Sequence, residues 1–517
     1  MRIRFPLARP LSRVAPVAVA GAVLLSTTAC DSQSGDASSG SGRTLSLAII
    51  GTPNSFDPAQ LVEGQQTYVW NSVYDTLLIQ DNEGRLVPGA AESWEYTDDA
   101  RTLTLRIRKG MKFSSGTPVT SAAVKATLDR IRATPGASQI GLAAVASVET
   151  NGDHEVVIKL RHPDGSLLSA LSGAPGVIGD PKTMTSKGSA LNPVGSGPYT
   201  LDKGATVNGS VYVLKRRDDY WNKKAYPFPT VKVRVIADRT AALNALKAGE
   251  VNAGSVEATH LGALKSSGFE VTNVEATAAG VLMLADRDGS KLKPLGDVRV
   301  RKAINMAFDR EKIVKQILQG SGKPTVQVYN PKGDAYDPAL EKTYAYDPAE
   351  AKRLLAEAGY ANGFTVPMPS LVYTKPFEPT ITQSLKDIGI TVQWETVPAQ
   401  QTNSAFISKK YPMFFTMDGL NTAPIETRNN FSPTGTRNVF GTTDKRFDAL
   451  WDQANTEVDP AAAAKIYQKI NAFTVENAWN APVFYAGTHW VTKKGIRYLG
   501  DGSSTFSTVR QFGITGQ

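Results

Sequence analysis

Strand-type and helix-type segments alternate along this chain from residue 44 onward, and this alternation restricts the fold more than any other feature. Five segments show the apolar and polar pattern of strands, at 44–50, 102–113, 155–160, 210–216 and 230–236. Segments with the 3.6-residue spacing of helices lie between and after them. Mixed strands and helices in a chain of this length indicate an α/β protein with more than one lobe.

Two helices carry clear end signals. We predict one helix that begins at an Asp297 N-cap, carries an apolar stripe and ends at Gly320. A second helix is predicted after Asp347, because Pro348 suits the first helical position and Gly359 suits the end.

The first 29 residues combine four arginines, no acidic residue and an apolar run from Val14 to Leu25. This run is shorter than the roughly 20 residues that a membrane-spanning helix needs. Small residues follow it. The pattern is typical of a secretory signal peptide, so we predict that residues 1–29 are a signal peptide and that the protein is exported.

The single cysteine of the chain, Cys30, comes directly after this segment. Its position resembles the lipobox of bacterial lipoproteins, in which the cysteine becomes N-terminal and carries lipid, although Thr27 stands where that motif usually has leucine. A Ser- and Gly-rich tract follows, so we predict a lipidated flexible tether over residues 30–43 and a folded part from Thr44. The predicted location is extracytoplasmic, anchored to the cell membrane by the N-terminal lipid.

Charge and cysteine content exclude several classes of function. The formal net charge is +9, and removing the four arginines of the first 29 residues leaves +5. The remainder has no dense run of Lys and Arg, so we expect no nucleic-acid partner. One cysteine excludes an intramolecular disulfide and a cysteine-cluster metal site, and we predict no metal and no cofactor.

The sequence shows none of the common catalytic motifs, and we predict that the chain is not an enzyme. It has no G-x-S-x-G element, and no histidine has metal-site spacing. Segment 319–325, QGSGKPT, lacks the first glycine and the Ser or Thr of a phosphate-binding loop, and we interpret it as a helix end and a turn. A Ser-His-Asp triad built from distant residues keeps a secreted hydrolase open as an alternative. The histidines are His154, His162, His260 and His489.

Several segments of the chain are similar to a known protein family when they are taken together, although most of their residues have structural roles. They include AESW, GSGPY, DDYW and a long segment that begins DVRVRKAINMAFDREKI. The segments are 87–124, 192–201, 214–221, 245–254, 297–324 and 346–360. This ordered set resembles family 5 of the extracytoplasmic solute-binding proteins, which serve ABC importers for oligopeptides, dipeptides and nickel chelates.

The resemblance implies a two-lobed periplasmic-binding-protein-like α/β fold (type II, cluster C) with an extra subdomain in lobe one. On that pattern, residues 44–272 form lobe one, with the extra subdomain at about 75–175. Residues 273–482 form lobe two, and residues 483–517 return to lobe one. Closure of the lobes would bury the solute and present a closed shape to the permease.

The resemblance also implies where a ligand binds. In peptide-binding members, an acid after a strand of lobe two pairs with the α-ammonium of the peptide, and Asp418 follows the apolar run that begins at Met413. The other ligand-binding residues expected from the resemblance are Phe415, Met417, Gly419, Gln65, Gln66 and Tyr485. The stretch departs from the usual pattern, because a phenylalanine replaces the common tryptophan and GLNTAP follows the acid. It has no histidine over 411–440, so peptides rank above nickel chelates.

The leading hypothesis is a lipid-anchored substrate-binding protein that captures peptides between two closing lobes and delivers them to an ABC permease. We expect a monomer whose partners are the solute, the permease subunits and, through the lipid, the membrane. The same fold could instead bind a nickel chelate, an oligosaccharide or another small solute. A surface receptor for signalling is a further alternative.

Overall fold

The computed structural model describes residues 44–97 and 99–516. The predicted signal peptide, the predicted lipidation site Cys30 and the predicted tether lie outside the described residues. No helix in the described part of the chain is long and apolar enough to cross a membrane.

Short strands and helices follow one another along the chain. The strands are β1 (Thr44–Ile49), β2 (Leu78–Gln80), β3 (Leu86–Pro88), β4 (Ala91–Tyr96), β5 (Thr102–Ile107), β6 (Val145–Asn151), β7 (Glu155–Leu160), β8 (Tyr199–Leu201), β9 (Val211–Arg216), β10 (Thr230–Val235), β11 (Ala253–Val256), β12 (Phe269–Leu284), β13 (Gly322–Pro324), β14 (Phe364–Ser370), β15 (Ile390–Thr396), β16 (Met413–Gly419), β17 (Asn480–Lys493), β18 (Ile496–Tyr498) and β19 (Phe512–Ile514). The helices are α1 (Thr67–Val73), α2 (Ser121–Ala133), α3 (Ala137–Ile140), α4 (Leu167–Leu171), α5 (Arg239–Lys247), α6 (Leu261–Ser266), α7 (Val298–Met306), α8 (Arg310–Gln316), α9 (Pro348–Glu357), α10 (Glu378–Lys386), α11 (Thr402–Ile407), α12 (Ala423–Phe431), α13 (Lys445–Thr456) and α14 (Pro460–Glu476).

Within the described residues, nine strands form the main sheet. Its order is β16-β12-β17-β11-β1-β10-β9-β8, and β13 also pairs with β17. β1 runs parallel to β10 and β11, and the other pairings are antiparallel. β12 and β17 are the long strands, and they pair along most of their length with a register break between Val274 and Ala278.

The main sheet joins two lobes, each with its own buried apolar clusters. The clusters of the first lobe draw on residues 45–274 and 490–512, and those of the second lobe draw on residues 276–485. β12 and β17 pass from one lobe to the other, because Val274 packs in the first lobe and Ala276 packs in the second. The register break therefore lies at the crossing between the lobes.

A four-stranded sheet in the order β4-β5-β7-β6 stands apart from the main sheet in the first lobe. The alternation predicted for β5 is present, because Leu103, Leu105 and Ile107 are fully buried while the residues between them are not. The strand ends at Ile107, before the turn residues of the predicted 102–113 segment.

The single helix predicted from Asp297 to Gly320 is wrong, because the chain forms α7 and α8 there. Asp297 caps α7 as predicted, and its carboxylate accepts a hydrogen bond from the Arg299 N–H at 2.8 Å. Asp309 accepts from the Lys312 N–H at 3.0 Å and begins a new helix. A short acidic side chain that bonds the backbone in this way competes with a continuous helix.

The helix predicted after Asp347 is confirmed as α9. The Asp347 carboxylate accepts a hydrogen bond from the Glu350 N–H at 2.9 Å, and Pro348 occupies the first turn. Gly359 has a φ of +90°, which a glycine adopts without strain, and the chain turns there.

Candidate functional site

Two cavities lie where the lobes meet. The inter-lobe cavity has a volume of about 620 Å³, and its lining includes Gln80, Trp94, Tyr96 and Leu168 from the first lobe and Tyr329, Thr422 and Tyr467 from the second. The hinge cavity has a volume of about 360 Å³ and lies beside the crossing strands, where Thr277, Ala278 and Gly487 line it. Both volumes are in the range of small-molecule sites in proteins.

Asp418, the predicted ammonium acceptor, already holds a cation of its own chain. Arg437 donates from Nε to Oδ2 and from Nη2 to Oδ1, each at 2.7 Å, and the Thr416 hydroxyl donates to Oδ1 at 3.1 Å. Burial lowers the pKa of Arg437, but the bonds to Asp418 more than offset this and raise it above its ordinary value. The structure therefore places a bidentate ion pair at this position.

The other predicted site residues lie in different surroundings. Gln65 and Met417 line the hinge cavity from opposite lobes, although the Gln65 side chain also accepts a hydrogen bond from the Ile50 N–H at 2.7 Å. Gln66 lies at the start of α1, where its amide donates to the Glu63 carbonyl at 2.8 Å.

Gly419 is exposed at the end of β16 and pairs with Ala278. Phe415 and Tyr485 are each only 1% exposed in the core of the second lobe. The Tyr485 hydroxyl, the one polar group of this side chain, donates a hydrogen bond to the Tyr329 carbonyl. Packing is the role that the structure shows for Phe415 and Tyr485.

The inter-lobe cavity holds polar groups that the sequence analysis missed. The hydroxyls of Tyr96, Thr422 and Tyr467 are buried and have no hydrogen-bond partner among the described residues. Burial, reinforced by the charge of Asp164, raises the pKa of both tyrosines well above its ordinary value, so these phenols stay protonated. Buried hydroxyls without partners are costly unless a ligand or water bonds them.

Contacts between the lobes surround this cavity. From α12 in the second lobe, Arg428 donates to the Ser166 hydroxyl at 2.9 Å, and Ser166 donates to the Asp164 carboxylate at 2.6 Å. The Gly165 N–H donates to the Asn455 side-chain oxygen at 3.1 Å. Burial lowers the pKa of Arg428, and the charge of Asp164 opposes this effect.

One serine contacts a histidine in a triad-like chain at the hinge. His489 Nε2 lies 2.7 Å from the Ser321 hydroxyl, and His489 Nδ1 lies 2.8 Å from the Asn273 side-chain oxygen. Burial lowers the pKa of His489. The third member is a neutral amide rather than a carboxylate, and none of the three residues lines the inter-lobe cavity or the hinge cavity.

Metal ligands do not cluster in the part of the chain that the structure describes. Within it, no group of three or more His, Cys, Asp or Glu side chains is placed to hold a metal ion.

The comparison with protein families identifies the class of the chain. The model of the family described as bacterial extracellular solute-binding proteins, family 5 Middle, matches residues 85–440. The chain belongs to family 5. The predicted family is thereby confirmed, and the chain is a substrate-binding protein of the kind that serves ABC transporters. Family 5 proteins are extracytoplasmic, and the relatives found are solute-binding proteins rather than enzymes.

Individual relatives show how far the likeness extends. The glutathione-binding protein GsiB of Escherichia coli O1:K1 is 28% identical over 445 residues, which cover 82% of this chain and 85% of GsiB. AgaA of A. tumefaciens R10, solved with agropinic acid, has a TM-score of 0.75 and 25% identity over 92% of this chain and 99% of AgaA. DppA of Helicobacter pylori, solved with the peptide STSA, has a TM-score of 0.73 and 21% identity over 91% of this chain and 98% of DppA. These structures confirm the predicted two-lobed periplasmic-binding-protein fold.

Proposed function

We propose that this family 5 protein captures a peptide in the inter-lobe cavity and delivers it to an ABC permease. The observation that carries the proposal is the cavity of about 620 Å³ that residues of both lobes line, with Tyr96 from the first lobe and Thr422 and Tyr467 from the second. Peptides offer backbone donors and acceptors that polar side chains of this lining can bond. Two relatives support this ligand class. DppA was solved with a peptide, and GsiB is named as a binding protein for glutathione, which is a tripeptide.

The lobes would close around the solute by bending at the two crossing strands. The predicted lobes, residues 44–272 with 483–517 and residues 273–482, meet near the register break between Val274 and Ala278. A break in strand pairing is a natural place for a hinge, because fewer ladder bonds resist bending there. In this proposal the protein acts as a monomer.

The hinge cavity would hold the part of the solute nearest to the crossing strands. Gln65, Met417 and Gly419 lie at or near this cavity and remain proposed ligand residues. Asp418 remains a proposed ammonium partner on the condition that the ammonium shares its carboxylate with Arg437.

Thermal unfolding of the purified protein tests the ligand class. The ligands are mixed di- to hexapeptides, nickel with and without a chelator, and oligosaccharides. A peptide that binds only the folded state should raise the unfolding midpoint, since at about 100 times its Kd it adds about 2.7 kcal/mol to the free energy of unfolding. A shift with nickel or oligosaccharides and none with peptides would contradict the peptide proposal.

We also propose that Cys30 carries the lipid that holds the protein at the cell membrane. The support is the signal-type segment before it and the Ser- and Gly-rich tract after it. In cells, the Cys30→Ser variant should move from the membrane fraction to the soluble extracytoplasmic fraction, and the Ser32→Ala control should stay with the membrane. Failure of the unchanged protein to incorporate a labelled fatty acid would contradict the anchor.

A further inference from the structure

Polar contacts join the two lobes around the inter-lobe cavity. From the second lobe to the first, these contacts are Asn330 to Gly502, Lys332 to Asp501, Asn455 to Gly165 and Arg428 to Ser166. Two of the second-lobe groups, Lys332 and Arg428, are cations, and their surroundings differ.

The contact of Lys332 is loose and exposed. Its ammonium lies 3.5 Å from the Asp501 carboxylate, and both side chains are more than half exposed. Exposed ion pairs of this geometry add little to stability, because water screens both charges. This contact therefore contributes little to holding the lobes together.

The guanidinium of Arg428 is partly buried and contacts the other lobe. Arg428 lies in α12, which packs against α4 of the first lobe. Within the described residues, its side chain donates to the Ser166 hydroxyl at 2.9 Å. Ser166 is fully buried and donates in turn to the Asp164 carboxylate at 2.6 Å, so Arg428 reaches this acid through the serine.

A second acid of the first lobe acts on the same guanidinium. Glu63 accepts a hydrogen bond from the Ala174 N–H at 3.1 Å. Burial lowers the pKa of Arg428, and the charges of Asp164 and Glu63 oppose this effect. Burial raises the pKa of Glu63, and the bond from Ala174 and the charge of Arg428 oppose it. The attraction between Arg428 and Glu63 therefore acts on both groups.

Separation of the lobes would take Arg428 away from these groups together, because Ser166, Asp164 and Glu63 all belong to the first lobe. Water would then solvate each charge. A closed form without the cation would instead hold two carboxylates that neither water nor a positive group fully compensates, which is costly. The cation therefore favours the closed form over the open one.

We infer that Arg428 is the positioning residue that holds the lobes closed over a bound solute. Its contribution sets the ratio of closed to open molecules and leaves the core of each lobe unchanged. The inference rests on the lobe closure of the proposed function, and it holds for a peptide and for any other solute that the closed lobes enclose.

Single-molecule energy transfer between one dye in each lobe measures the closed-to-open ratio. Because Cys30 is the only cysteine of the chain, the Cys30→Ser background accepts two new labelling sites. Asn151→Cys in the first lobe and Lys386→Cys in the second are exposed positions for the dyes. The ratio is recorded without solute and with each ligand of the unfolding experiment.

Arg428→Met should lower the closed-to-open ratio by about tenfold or more, because a partly buried charge network loses its hydrogen-bonded cation. Lys332→Met removes the exposed cation at the other cross-lobe contact and should lower the ratio by about twofold or less. Arg353→Met is the control, because its partners Glu350 and Glu357 lie on its own helix α9, and it should leave the ratio unchanged.

Ser166→Ala tests the contact itself. This variant alone should lower the ratio by less than Arg428→Met does. In the double variant, Ser166→Ala should cause almost no further loss, because the two side chains share one interaction. Losses that simply add would show that the two groups act independently and would overturn the assigned contact.

The outcomes separate this inference from the proposed function. A ratio that Arg428→Met leaves unchanged would overturn the inference while the proposed function stands. A protein that stays open with every ligand would overturn both, because the lobes would not close. Closure with an oligosaccharide alone, together with a tenfold loss in Arg428→Met, would support the inference and contradict the peptide ligand.

Discussion

Replacing Gly165 by valine is expected to weaken peptide binding by about 30- to 100-fold, with little effect on folding. A Cβ at this position would lie 2.7 Å from the Ala454 carbonyl oxygen and 3.0 Å from the Tyr467 hydroxyl, both in the other lobe. Overpacking of this kind costs about 2–3 kcal/mol. Here the clash arises only when the lobes are in contact, so the cost falls on the closed form. Calorimetric titration with a peptide measures the affinity, and urea unfolding measures the stability.

Gly262 provides the matched control for this prediction. It lies in α6, away from the other lobe, and a Cβ there would meet no atom within 4 Å. Gly262→Val should therefore bind peptide like the unchanged protein. If Gly165→Val binds with unchanged affinity, the contact between Gly165 and the second lobe is not part of the peptide-bound form.

Local chemistry explains which parts of the fold could be predicted from the sequence. Asp297 and Asp347 were predicted as caps because a cap needs only a short side chain and the next few backbone N–H groups. The break at Asp309 was missed, because the apolar stripe continues through Phe308 as it would in one long helix. Asp309 could cap a new helix as Asp297 does, but the unbroken apolar spacing also fits one helix, so the local pattern permits both structures.

The candidate site was less predictable for a related reason. Asp418 was predicted at the end of a buried strand and is the next-to-last residue of β16, but its partner Arg437 comes after a whole helix and a turn. Tyr96 and Tyr467 line one cavity only because the two lobes fold against each other. No local pattern marks either tyrosine, since each stands in an ordinary amphipathic strand or helix.

Replacing Glu426 by glutamine is expected to change how stability depends on pH. Glu426 lies in α12 and is 6% exposed. Its carboxylate accepts hydrogen bonds from Asn421 at 2.9 Å and Asn430 at 2.6 Å. Burial raises the pKa of Glu426 to about 7, the charge of Asp418 adds to this, and the two asparagine donors oppose it.

The raised pKa fixes the direction of the pH effect. Between about pH 4.5 and pH 7, the folded protein holds the proton of Glu426 and the unfolded chain has released it, so the free energy of unfolding falls as pH rises. Above pH 7 both states are ionised at this group, and the cost of burying the charge stays constant. A pKa difference of this size corresponds to about 3 kcal/mol.

Glu426→Gln should remove this cost because the amide carries no charge at any pH. Its oxygen can still accept a hydrogen bond from an asparagine, and its NH₂ can donate to the Asn430 side-chain oxygen, which is buried without a partner. We expect the variant to be as stable as the unchanged protein near pH 4.5 and more stable by up to about 3 kcal/mol at pH 8. Arg437 loses some electrostatic attraction in the variant, which makes this figure an upper bound.

Urea unfolding from pH 4.5 to pH 8 measures the difference between the two proteins. The informative quantity is the difference in the free energy of unfolding between the variant and the unchanged protein. Burial also raises the pKa of Asp75 to about 6, so the stability of both proteins depends on pH through this second group as well. The exposed Glu92 supplies the control, and Glu92→Gln should follow the unchanged protein at every pH. Parallel curves for Glu426→Gln and the unchanged protein would mean that Glu426 titrates alike in the folded and unfolded chains, and its burial would then carry no pH-dependent cost.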